Sequence, residues 1–402
     1  MSNTQKKNVP ELRFPGFEGE YSLDIFGNLA TNKSDKFNPQ NENASIDIEL
    51  DCIEQNTGRL IKIYNSKEFS SQKNKFNPQN VLYGKLRPYL NKYYFTKKSG
   101  VCSSEIWVLK STKEDKLLNL FLYYFIQTKR YSDVASKSAG SKMPRADWGL
   151  IENIRVYFPE LCEQQKIGEF FSKLDLQIEL EEQKLELLQQ QKKCYMQKIF
   201  SQELRFKDDN GNDYPEWEEK KLGELSQIVR GASPRPIKDP KWFNKESDIG
   251  WLRISDVTDQ NGKIYHLEQK LSIEGQEKTR VLLTTHLLLS IAASIGKPVM
   301  NFVKTGVHDG FLIFLNPKFN IFFMYYWLDY FKEKWSKYGQ PGSQVNLNSE
   351  IVKSQTLNMP SNHEQEKVGL FFSRNEKLIE LQQEKIMYLK RRKQALILKM
   401  FI

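Results

Sequence analysis

Two stretches of this chain, EQQKIGEFF from Glu163 and EQEKVGLFF from Glu364, are versions of one pattern. They lie within a longer repeat. Residues 159–200 align without a gap on 360–401, with sixteen identities in forty-four positions counted from Tyr157. A repeat of this length constrains the fold more than any composition statistic, because both copies must form the same supersecondary unit. Fainter matches lie upstream: ELRF at Glu11 recurs at Glu203, IEQNTGRL (53–60) resembles VTDQNGKI (257–264), and Gly100-Val101 aligns with Gly306-Val307. The chain therefore reads as two halves, each a variable globular domain followed by a closely similar helix. Its expected parts are a disordered N-terminus (1–8), a first domain (9–158), a first spacer helix (159–202), a second domain (203–359) and a second spacer helix (360–402).

Both helical segments carry a heptad seam. In the first, Ile167, Phe171, Leu174, Ile178, Leu185, Leu188, Tyr195 and Ile199 follow spacings of three and four, broken by Glu181 and Lys192. The second places polar residues at matching positions, among them Gln382 and Lys393. A helix of about 38 residues, about 57 Å long, needs a partner, and the simplest is the other copy, antiparallel. The register that sets Glu181 opposite Lys393 also brings Lys192 near Gln382 and Leu185 against Leu389. The chain would then return near its start, with the ELRF segment packing beyond the end of helix two. That makes a circular arrangement with approximate two-fold symmetry, suited to two DNA half-sites about one turn apart. Leu180, Leu187, Leu381 and Tyr388 fall off the seam and are the candidates for a partner interface.

Composition is that of a globular protein, with 39% hydrophobic residues and no run near the ~20 that a membrane span needs. The polar start MSNTQKKNVP does not resemble a secretory signal, which points to the cytoplasm. Cys52, Cys102, Cys162 and Cys194 are too scattered for a zinc site or a disulfide framework. A net charge of +10 is compatible with a polyanionic partner without demanding one.

The two domains read as α+β. Candidate strands are IDIELDCI, LIKIY, NVLYGKL and EIWVLK in the first and WLRISDV, HLLLSI and FLIFLN in the second. The aromatic runs KLLNLFLYYFIQ and IFFMYYWLDYFKEKW have helical spacing and are expected in the core. Polar loops carry the candidate DNA contacts: Lys85, Arg87, Tyr89 and Lys92 in GKLRPYLNK, Lys142 and Arg145 in SAGSKMPRADW, Arg230, Arg235 and Lys238 in RGASPRPIKDPKW, and Gln340, Gln344 and Asn346 in GQPGSQVNLN. Arginine and lysine reach guanine or phosphate, and glutamine and asparagine can grip adenine. Each is also, taken singly, an ordinary surface side chain.

No phosphate loop, nucleophile elbow or metal-spaced histidines are found. Glu218-Glu219-Lys220 lacks the upstream partner of a nuclease metal motif and reads as a solvated charge run. The Asn-Pro pairs at Asn38, Asn77 and Asn316 read as turns. Catalysis, if any, belongs to partners. The paired P-x(3)-EQ-x-K-[IV]-G-x-FF entries at Pro159 and Pro360, the Gly-Ser segments at Gly140 and Gly342, and the domain–helix–domain–helix order resemble the specificity subunit of type I restriction-modification systems. The resemblance implies two target recognition domains, each reading half of a split double-stranded DNA sequence. It implies an antiparallel helical spacer holding two methyltransferase subunits, with two restriction subunits able to join. S-adenosylmethionine, magnesium and ATP would then belong to those partners, with no cofactor or metal in this chain. The alternative reading is a coiled-coil structural or regulatory DNA-binding protein without methyltransferase partners.

Overall fold

In the computed structural model, which describes residues 8–42, 44, 46–68, 71–137, 143–291, 295–338 and 347–402, the repeats become two long α-helices, Leu161–Phe200 and Asn362–Met400. Most of the segment expected to be a disordered N-terminus lies outside the described residues. The chain forms two units, one of residues 1–183 with 384–402 and the other of residues 184–383. Each holds one globular domain and a part of both long helices.

In unit one the strands Ala30–Thr31, Ile106–Ser111, Val81–Gly84 and Tyr93–Phe95 form one sheet in that order, and Lys36–Phe37, Lys73–Phe76, Gly100–Cys102 and Asp47–Ile48 form another. Val81–Gly84 is buried at every position, as expected of an unalternating apolar run covered on both faces. Unit two repeats the plan. Gln227–Arg230, Phe311–Leu315, Leu287–Ser290, Pro298–Asn301 and Lys263–Ile264 make one sheet, and Gly250–Leu252, Thr305–Val307 and Arg280–Leu282 the other. Gly100 and Gly306 recur because neither position has room for a side chain: a Cβ would come within 2.7 Å of Phe76 at the first and 2.2 Å of Leu271 at the second. The aromatic runs form the helices Asn119–Phe125 and Ile321–Phe331, and their rings are core.

Some local expectations are corrected. LIKIY contributes only isolated bridges at Leu60 and Tyr64. WLRISDV leaves its strand at Leu252 and turns into the helix Ile254–Asp259, because the Asp256 carboxylate accepts the Arg253 backbone N–H at 2.8 Å and caps it. The charge run around Glu218 is the strand Glu218–Lys221, paired with Thr356–Met359. Ser22–Ile25 pairs with Arg155–Phe158 in the same way, so each domain's first strand is tied to its last, just before the long helix begins.

The repeated motif is a clamp, and nearly every residue in it has a physical task. The buried Glu163 receives Nε and Nη2 of Arg13 at 2.8 and 2.7 Å, and Glu364 receives the same two nitrogens of Arg205 at 3.2 and 2.9 Å. These are the arginines of the two ELRF copies. A further donor completes each carboxylate, the Tyr21 hydroxyl in one unit and the Trp217 indole N–H in the other. Gln164 accepts Leu118 N–H and donates to the Lys116 and Pro159 carbonyls, while Gln365 accepts Asn320 N–H and donates to the Pro360 carbonyl. Gly168 and Gly369 let Leu120 and Phe322 approach the helix, where a Cβ would sit 2.7 and 3.0 Å from them. Phe170 meets Phe14 and Phe371 meets Phe206 edge to face, each at 5.5 Å.

Within each unit the helix segments run antiparallel. In unit one Glu181 pairs with Lys385 and Asp175 with Lys393; in unit two Lys192 pairs with Glu376 at 2.8 Å, and Tyr195 packs on Phe371. The expected facing of Glu181 and Lys393 is therefore wrong: Glu181 reaches a lysine about two turns earlier on the partner helix. The seam lysines choose instead carboxylates already held by a tyrosine. Asp175 accepts the Tyr124 hydroxyl at 3.0 Å, and Glu376 accepts the Tyr326 hydroxyl at 2.7 Å. Both carboxylates lie one residue beyond a seam position, where a heptad count alone does not look. The N-terminal segment does pack at the end of helix two: Leu12 N–H donates to Lys399 O at 2.9 Å, and Leu204 N–H donates to Lys198 O at 3.0 Å at the equivalent place in unit two.

Two expectations follow for stability. Arg205→Ala leaves the fully buried Glu364 carboxylate short of its cation and should cost about 3 kcal/mol in chemical denaturation. Burial pushes the Glu376 carboxyl up, but Lys192 and Lys263 outweigh it and hold the group below its ordinary value. A lowered folded-state value means stability that is present above the usual carboxylate range, about pH 4 to 5, and lost as pH falls through the folded value. The stability gap between the wild type and Glu376→Gln, followed by urea melts across pH, should be widest at neutral pH and narrow in acid.

Candidate nucleic-acid interface

In unit one, three separate segments meet at the end of a strand. Lys85 follows Val81–Gly84, its N–H donating to Glu105 O at 3.0 Å and its carbonyl accepting Ala146 N–H at 2.8 Å. Arg87 stands in left-handed backbone at φ 52°, a costly conformation for a residue with a side chain, and donates its N–H to Pro144 O at 2.7 Å. The loops holding Arg87 and Arg145 are thus stitched together through main chain. Arg145 is half exposed and lies side-on to Glu105, with Nε to Oε2 and Nη2 to Oε1 both at 3.0 Å. That pairing holds the Glu105 carboxyl below its usual range. Tyr89 is exposed, whereas Lys92 spends its ammonium on Leu50 O at 2.6 Å. Lys142 lies outside the described residues.

In unit two the corresponding turn carries Asp309. Arg235 is 69% exposed and places Nη2 2.7 Å from Asp309 Oδ2, while the Ser233 hydroxyl donates to Oδ1 at 2.8 Å. Burial pushes the Asp309 carboxyl up; Ser233, His308, Arg235 and Arg230 outweigh it and bring it below its ordinary value. Arg230 donates to the Asp309 carbonyl at 2.6 Å, and Arg280 donates to the carbonyl of Arg230 at 2.7 Å. Gly231 is required here, since a Cβ would sit 2.1 Å from His308 O. Lys238 borders a neighbouring cavity of about 500 Å³ lined also by Phe243, Trp251, Arg253 and His308. Gln340, Gln344 and Asn346 lie outside the described residues, as do the Gly-Ser segments at Gly140 and Gly342.

Each unit therefore gathers sequence-distant cations around one acidic turn. Sequence reasoning named these arginines as candidate DNA contacts and did not name Glu105 and Asp309, the acids that the fold places against them. The signal was available: both acids stand within five residues after the repeated Gly-Val, just ahead of the next strand. The larger cleft of unit one, about 880 Å³ and lined by Arg59, Tyr123, Asp175 and Lys393, contains none of these loop cations. Among the described residues no group of three or more His, Cys, Asp or Glu could hold a metal ion, and no helix is long and apolar enough to cross a membrane.

A family model described as the type I restriction modification DNA specificity domain matches residues 20–190 and again 214–391. The chain is similar to the MjaVIII type I restriction enzyme specificity subunit of Methanocaldococcus jannaschii, 26% identical over 310 residues, which is 72% of this chain and 71% of that one. It is 25% identical over 169 residues to the EcoDI specificity subunit of Escherichia coli, covering 40% of this chain and 37% of that one. Among solved structures, a chain from a study of complex assembly in a type I restriction-modification system superposes with a TM-score of 0.60 at 17% identity, covering 94% of this chain and 96% of that one. The type I restriction-modification S subunit of M. genitalium gives 0.57 at 14% identity, over 98% and 99%. At such identities these structures speak for the fold alone. The family match covers both halves, each with its own domain and helix, and the chain accordingly belongs to the type I restriction-modification specificity family, a family of DNA-recognition subunits.

Proposed function

We propose that this chain is the non-catalytic reading subunit of an adenine-N6 methyltransferase and endonuclease complex, in which the domains at 9–158 and 203–359 each recognise one half of a bipartite double-stranded DNA target. The observation that carries the reading is the contrast between a clamp whose arginine, glutamate and glutamine recur and loops that differ at equivalent places, Arg145 with Glu105 in one unit and Arg235 with Asp309 in the other. A frame kept constant under diverging loops is what two different readers on one scaffold require. The segments 159–202 and 360–402 act as spacers and bind two methyltransferase subunits, and two restriction subunits can join. S-adenosylmethionine, magnesium and ATP reside on those partners, and the assembly works in the cytoplasm.

Support for the docking surface comes from exposure. Leu180, Leu187, Leu381 and Tyr388 are 56, 59, 48 and 62% exposed, and Leu176, Leu378 and Met387 on the same helices are exposed as well. Leu187→Asp combined with Tyr388→Asp should abolish capture of the methyltransferase subunits in a pull-down, while the chain keeps its circular dichroism and melting profile.

The modular reading is tested by exchange. Replacing residues 203–358 with the corresponding domain of another specificity subunit should change one half of the methylated motif mapped in cellular DNA and leave the other half intact. Alteration of both halves would show that the domains do not read independently.

A further inference from the structure

We infer that the two arginine–carboxylate pairs, Arg145 with Glu105 and Arg235 with Asp309, are the guanine-reading elements of their domains, and that Glu105 and Asp309 determine specificity by aiming the arginines. The inference rests on the DNA-reading role proposed above and deepens it to named residues and a base.

The argument begins with how each guanidinium is held. Glu105 takes the Nε and Nη2 edge of Arg145, two of its five N–H donors. The opposite edge, made of Nη1 and the second N–H of Nη2, is left in the geometry that grips O6 and N7 of guanine. Asp309 takes one donor of Arg235 and is itself fixed by the Ser233 hydroxyl at 2.8 Å, so the carboxylate cannot swing away with the arginine. An unrestrained arginine loses rotamer freedom on binding, and a prior carboxylate contact removes part of that cost. The unit-one arginine comes from a loop late in its domain and the unit-two arginine from a loop early in its domain, yet both end on an acid in the turn before the same core strand. Unrelated loops thus each bring an arginine to the acid of the equivalent turn, through two nitrogens in one unit and one in the other.

Charge decides between base and backbone. A lone arginine is drawn to phosphate, but one already paired with a carboxylate has part of its charge answered before DNA arrives. It presents instead donors beside an acceptor. That is the pattern complementary to a G·C pair, with arginine on guanine and a carboxylate oxygen available to the cytosine amino group. Arg87, exposed and with no carboxylate partner among the described ion pairs, is left to contact phosphate.

The test uses the full chain assembled with its methyltransferase subunits and a randomised duplex library as the probe. The wild-type complex should select a two-part motif containing a G·C pair in each half. Arg235→Ala and Asp309→Asn should each relax the same G·C position in one half, reducing its preference by about 5- to 150-fold, and Arg145→Ala and Glu105→Gln should do so in the other half. Retention of the untouched half reports that each variant is folded. The slope of affinity against salt should stay unchanged, whereas loss of a phosphate contact lowers it by about one. A wild-type motif with undiminished preference in the arginine variants overturns the guanine assignment while leaving bipartite recognition standing. Relaxation by Arg235→Ala but not by Asp309→Asn overturns the aiming role of the acid. Failure of the wild-type complex to select any sequence removes the recognition reading and this inference together.

Discussion

A carboxylate withdrawn from water has to be met by a cation or by several donors, and two such carboxylates organise this protein. Glu163 and Glu364 sit in the first turns of the long helices with almost no solvent access, and each is answered by an arginine from a segment far away in sequence. Once that pair forms, the ELRF segment is fixed to the start of the helix, and Phe14 and Phe206 are delivered onto the paired phenylalanines. The neighbouring glutamine then ties the helix to the domain that precedes it. Domain, helix and linker thus meet at one point in each unit, and the sheets that support the acidic turns are positioned from there.

Along the helices a second pair of partly buried ion pairs sets the register. Lys393 and Lys192 each find a carboxylate from the opposite helix that is also hydrogen-bonded to a tyrosine of the domain. The two sites are related but not equal. Unit two uses the longer Glu376 and adds Lys263, whereas Arg59, the residue aligned with Lys263, goes to Glu182 in unit one. In unit one the aspartate and its lysine line an open cleft of about 880 Å³. One more methylene and one more cation are accommodated without changing the direction in which the helices run.

The repeat, the α+β class, the aromatic cores and the antiparallel helices were legible in the sequence, because periodicity and self-similarity survive without coordinates. The register was not. A heptad count locates Lys393 and Lys192 but says nothing of Asp175 and Glu376, which become partners only because tyrosines from the domain reach them. The site was half legible for a similar reason. Arginines in proline-flanked loops stand out, while Glu105 and Asp309 are single acids in short turns whose meaning depends on which loop folds over them. The short helix at Ile254–Asp259 hid behind strand-like residues until the Asp256 cap was seen.

Gln164 and Gln365 bind main-chain groups of the domain: the carbonyls of Lys116 and Pro159 and the N–H of Leu118 in one unit, the N–H of Asn320 and the carbonyl of Pro360 in the other. A joint that recognises backbone is indifferent to which side chains the domain carries. Side chains elsewhere in a domain can then change without the glutamine losing a hydrogen bond, provided the chain keeps the same backbone path and the arginine and aromatic donor that meet the buried glutamate. The two halves of this one chain show the same split: the clamp residues recur where charge must be buried, while the domains they carry differ.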